Sequence, residues 1–109
     1  MRYTLAAAAA LLLLAGSGPA RAAFITREFL LRSCAGQSAT DRADCTGYII
    51  GVADTLLSPQ DGPATVCLPA GLAMGRLRSQ VVQYLRGHEG AAAAPLVRAA
   101  LQSAYPCGR

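Results

Sequence analysis

Four cysteines, Cys34, Cys45, Cys67 and Cys107, constrain this 109-residue chain more than any other feature. What they can do depends on the compartment, and the start of the chain bears on that. Met1-Arg2-Tyr3-Thr4 is followed by an apolar run from Leu5 to Ala15 and then by Gly16-Ser17-Gly18-Pro19-Ala20-Arg21-Ala22. A basic start, a short apolar centre and a small-x-small ending are the three parts of a secretory signal. Ala20 and Ala22 fit cleavage between Ala22 and Ala23, so residues 1–22 are expected to be a signal peptide and 23–109 the mature domain. The 11-residue run falls short of the roughly 20 apolar residues that span a bilayer, so no membrane association is expected after cleavage. Behind an export signal, an even cysteine count reads as a disulfide framework. The rival reading, zinc, lacks a C-x-x-C knuckle, and the lone His88 adds little to it.

Cleavage would remove Arg2 and Arg21 and lower the formal charge from +4 to +2. The remaining arginines are scattered among acids, with few aromatics and no basic run, which excludes a nucleic-acid binder. A mature chain this short buries only about 60–65% of its unfolded surface and is marginal without covalent help. Each disulfide contributes about 2–4 kcal/mol, a large part of the stability of so small a core.

The periodicity of the mature chain is helical throughout, and no segment alternates with period two. Thr26 is placed to cap a first helix from Arg27 to about Cys34, with Glu28 at the positive end of its dipole and Phe29, Leu30 and Ser33 as its core face. Ser38-x-x-Asp41 resembles the cap of a second helix, in which Cys45, Tyr48, Ile49, Val52, Ala53 and Leu56 recur at helical spacing. Gly47 and Gly51 lie four apart on one face, at about 1 kcal/mol each relative to alanine, and are read as admitting a closely packed neighbour. Asp44 and Asp54 exclude a membrane helix pair there. Ser58-Pro59-Gln60-Asp61-Gly62-Pro63 is a loop. A third helix, Met74 to Gly87, turns Met74, Leu77, Val81, Val82 and Leu85 inward. A fourth places Leu96, Val97, Ala100, Leu101 and Ala104 on one face, between Pro95 and Pro106. The expected fold is all-α, a small four-helix bundle stapled by two disulfides.

Three cysteine pairings are possible. Cys34 closes the first helix and Cys45 lies early in the second, so this pair suits a local bridge, leaving Cys67 for Cys107.

The chain assembles no nucleophile with a base, no paired carboxylates and no metal site, so no catalytic, cofactor-binding or metal-ligating residue is assigned. His88 sits beside Glu89 in a turn and reads as a solvated helix-end histidine. What remains is recognition by shape. Two loops, Ser58 to Thr65 and Gly87 to Ala92, are expected to meet a protein partner, with Ser58, Gln60, Asp61, His88 and Glu89 as candidate contacts.

The run Cys45-Thr46-Gly47-Tyr48-Ile49-Ile50-Gly51-Val52-Ala53-Asp54, with Cys67-Leu68-Pro69 after it, resembles the Rap/Tai-type immunity proteins. So does the later pattern Leu77-x3-Val81-Val82-x-Tyr84-Leu85-x2-His88, leading to Leu96-Val97-x2-Ala100-Leu101 and Tyr105-Pro106-Cys107. The resemblance runs from Phe24 to Cys107. It implies a periplasmic all-α protein without enzymatic activity, often a homodimer, that inhibits a cell-wall amidase delivered by type VI secretion by plugging its active-site cleft. Ala73 departs from the pattern, standing where the family tends to place a Ser or Thr cap. Two other functions are compatible with such a scaffold: an envelope-associated periplasmic protein with no toxin partner, and an acid-stress chaperone of the HdeA type. The chaperone mechanism needs many carboxylates whose protonation releases the fold, and the mature chain has six.

Overall fold

The computed structural model describes residues 23–60 and 62–108; the expected signal peptide and Asp61 lie outside the described residues. Among the described residues four helices account for the regular structure: α1 (Arg27–Ala35), α2 (Ala39–Leu57), α3 (Met74–Gly87) and α4 (Ala93–Ala104). Both side-chain caps form where the sequence places them. The Phe29 N–H donates to Thr26 Oγ1 at 3.1 Å, and the Asp41 N–H donates to Ser38 Oγ at 3.0 Å. Helices α3 and α4 begin at Ala73 and Ala92 with no side-chain cap. At α4 the backbone substitutes: Thr26 and Ala92 form an isolated antiparallel bridge, and the Ala93 N–H donates to the Ile25 carbonyl at 3.1 Å.

Every helix contributes to one core. Leu30 of α1, Ile49 of α2, Val81 and Leu85 of α3, and Val97 and Leu101 of α4 are all essentially inaccessible to solvent. Burying a side chain of this kind is worth about 1.5–3 kcal/mol. Helix α1 packs mainly on α2, and α3 mainly on α4, with α2 also meeting α4. The two disulfides are Cys34–Cys45 and Cys67–Cys107. The first pins the end of α1 to the second turn of α2. The second ties the loop after α2 to the C-terminal tail.

Four expected core contacts do not form. Phe29 of α1 and Met74 of α3 are 40% and 44% exposed, because each stands at the margin of its helix's apolar face. Ala104 is exposed in the last turn of α4, whereas Ala93 in the first turn is fully buried. The largest correction concerns Gly47 and Gly51. A Cβ built on either meets nothing within 4 Å among the described residues, so none of the four helices packs against them. The core face of α2 is Cys45, Ile49, Ala53 and Leu56, and the two glycines lie about half a turn round from it.

Candidate partner-binding face

The loop after α2 is anchored on its return limb and open at its tip. Val66 is 1% exposed and bridges to Pro106. On either side of it the Cys67 N–H donates to the Tyr105 carbonyl at 2.9 Å and the Cys107 N–H to the Thr65 carbonyl at 3.4 Å. Gln102 Nε2 of α4 donates to Thr65 Oγ1 at 3.0 Å, and the Cys67–Cys107 disulfide closes the clamp. Ser58, Gln60 and Pro63 are exposed at the tip, and Gly62 holds φ at 81°, a conformation that favours glycine. The loop is therefore presented on a fixed base, which lowers the ordering cost of docking it into a partner.

The second loop is equally ordered. His88 and Glu89 are exposed, and the His88 ring stacks on Tyr84 with centroids 3.7 Å apart and planes within 6°. His88 Nδ1 lies 2.8 Å from the Tyr84 carbonyl; because a carbonyl only accepts, Nδ1 carries the proton. Arg27 Nε donates to the carbonyls of Leu85 and His88, fixing the chain as it leaves α3.

These two loops do not converge. The base of the first touches Gln102 near the end of α4, whereas Ala92 precedes its start. A helix of 12 residues separates them by about 18 Å. Ser58 and Gln60 thus stand at one end of the domain and His88 and Glu89 at the other.

What connects the two ends is a surface that the periodicity reading misassigned. Between α2 and α4 runs an open groove of about 640 Å³, floored by the bare backbone at Gly47 and Gly51 and walled by Val52 and Pro95. Arg98 stands at its end nearest the Ser58–Thr65 loop, where it also lines a smaller hollow with Pro59 and Pro63. At the other end two further apolar hollows open beside Tyr48, one under Phe29 and Asp44 and one under Phe24 and Ala92. Burial raises the Tyr48 pKa above the ordinary tyrosine value. The glycine pair was the visible signal for this surface, but a close helix contact and an empty groove require the same residues.

The arrangement offers contact area. All four cysteines are in disulfides, and among the described residues no three His, Cys, Asp or Glu side chains stand close enough to hold a metal ion. No helix among the described residues is long and apolar enough to cross a membrane. No curated protein and no solved structure matches the chain. A family model described as Rap1a immunity proteins matches residues 26–107. That span begins at the cap of α1, takes in all four helices and ends on the second half of the Cys67–Cys107 bridge, so the chain belongs to the Rap1a immunity protein family.

Proposed function

We propose that this protein is a periplasmic immunity protein that binds and inhibits a cognate peptidoglycan amidase delivered by type VI secretion. The observation that carries the reading is the family match over the whole helical domain. Two disulfides fit the oxidising compartment in which such an amidase would attack the cell's own wall, and residues 1–22 would act as the export signal. Inhibition needs no chemistry from this chain. A rigid loop seated in a cleft excludes substrate, and its affinity comes from contacts already organised before binding.

Within that reading the Ser58–Thr65 loop is the segment that enters the cleft, with Ser58 and Gln60 at the tip and Asp61 as a further candidate contact from the sequence. It is clamped by a disulfide, a backbone bridge and the Gln102 side chain. His88 and Glu89 would belong to a separate part of the contact, at the far end of α4. The first experiment is a pull-down of the oxidised protein against a panel of secreted amidases, including any encoded beside it, followed by a peptidoglycan cleavage assay. Nanomolar binding with loss of cleavage is expected, weakened at least tenfold by Gln60→Arg at the tip. Absence of binding across the panel by a correctly folded protein would overturn amidase inhibition and leave an envelope protein of the same family.

A further inference from the structure

We infer that the Cys67–Cys107 disulfide is a site of thiol–disulfide exchange with a dithiol reductant, and that its reduction releases the Ser58–Thr65 loop while the four helices stay folded. The two bridges present their sulfurs differently. Cys67 is exposed and Cys107 half-buried, and both lie outside the helices. Cys34 is half-buried, whereas Cys45 is 0% exposed on the core face of α2. Exchange starts when a thiolate attacks one sulfur of a disulfide and expels the other, so access to the first and the stability of the second both set the rate. At the exposed bridge the donor thiolate attacks Cys67 Sγ, a mixed disulfide forms, and Cys107 leaves as a thiolate. The donor's second thiolate then attacks its own sulfur in the mixed disulfide and expels Cys67. The donor ends as an internal disulfide, and the chain gains two electrons and two protons as two thiols.

The other bridge resists the same chemistry. Cys34 can be approached through the hollow that it shares with Arg78 and Arg86, whose charges would draw in a thiolate. Attack there must expel Cys45 into the core, where apolar surroundings raise a thiol's pKa and make it a poor leaving group. The arginines help the approach and leave that cost in place. What reduction frees is set by the contacts around the exposed bridge. Without it the limb from Thr65 to Cys67 is held to the chain end by the Cys67–Tyr105 and Cys107–Thr65 backbone hydrogen bonds and by Gln102. The Cys107–Thr65 bond is long, at 3.4 Å. Val66 keeps its place in the core, and the Cys34–Cys45 bridge still joins α1 to α2, so the opening is local. That reduction also weakens inhibition rests on the amidase reading; that this bridge is reduced first does not.

The test treats the folded, oxidised protein with dithiothreitol in the absence of denaturant and traps free thiols with iodoacetamide at intervals for peptide mass spectrometry. Cys67 and Cys107 should be alkylated at least tenfold faster than Cys34 and Cys45, with the helical circular dichroism kept. In the trapped protein, amide hydrogen exchange at residues 65–67 should rise while exchange in α1 stays slow. Equal rates for the two pairs, or faster reaction of Cys34 and Cys45, would overturn the exchange site. Selective reduction that leaves exchange at residues 65–67 unchanged, or that abolishes the helical signal, would overturn the local release. Against an amidase that the oxidised protein inhibits, selective reduction should weaken inhibition at least tenfold and reoxidation should restore it. Selective reduction and release in a protein that binds no amidase would sink the immunity reading and leave the exchange site standing.

Discussion

Arg27, in the first turn of α1, closes the end of α3 by donating from Nε to the Leu85 carbonyl at 2.9 Å. The same nitrogen lies 2.8 Å from the His88 carbonyl. The last carbonyls of a helix have no partner within it, and a cation there also meets the negative end of the dipole. One side chain thus joins two helices distant in sequence and holds the chain where it turns towards α4. Arg27→Met keeps the apolar stem and removes the donor. It should lower the unfolding free energy by about 1–2 kcal/mol in a urea titration. Arg27→Lys should recover little of that, because an ammonium on a flexible stem does not reproduce the orientation of the guanidinium.

The two disulfides differ in what they restrain. Cys34 and Cys45 are 11 residues apart and join helices that already pack on each other. Cys67 and Cys107 are 40 apart and hold a segment without helix or strand against the C-terminal tail. On the chain-entropy account the shorter loop is worth about 3 kcal/mol and the longer about 4. Paired serine substitutions at Cys67 and Cys107 should therefore be the more destabilising. They should also raise amide hydrogen exchange at residues 65–67 and 105–107 while exchange in α1 stays slow, and the Cys34 and Cys45 pair should show the reverse pattern.

The helices and both disulfides were legible in the chain because local signals and periodicity agreed. Thr26 and Ser38 are caps whose partners lie three residues on, and Ile49, Ala53 and Leu56 recur at the spacing of one face. What was not legible depends on which neighbour arrives. Phe29 and Gly47 lie on faces that periodicity alone cannot assign to core or solvent, and the structure leaves both outside. Ser58, Gln60, His88 and Glu89 all lie outside the helices, but a linear reading cannot show that Gln60 and Glu89 stand at opposite ends of α4.

Tyr105 carries an internal mismatch. Its hydroxyl oxygen is sealed from solvent and has no hydrogen-bond partner among the described residues, although the residue as a whole is only half-buried. An unsatisfied buried polar group costs about 1–3 kcal/mol, and removing it while keeping the ring relieves that cost. Tyr105→Phe should raise the unfolding free energy by about 1 kcal/mol, read as a higher denaturant midpoint at unchanged slope. A loss of stability instead would mean that the hydroxyl makes a bond in solution.

Three glycines separate open space from close approach, and substitution by alanine should divide them by sign. At Gly36, just past α1, a Cβ would be driven into the side chain of Asp41, which sits over the bare backbone. Gly36→Ala should cost about 1–3 kcal/mol, the usual penalty for forcing volume into a filled site. Gly47 and Gly51 lie inside α2 with nothing near the missing Cβ, and glycine within a helix costs about 1 kcal/mol relative to alanine. Gly47→Ala and Gly51→Ala should therefore each stabilise the chain by up to about 1 kcal/mol in dilute solution. Thermal or chemical unfolding of the three variants decides the matter. Destabilisation at Gly47 or Gly51 under those conditions would mean that a helix of the same chain packs there after all, and the groove would be lost as a docking surface.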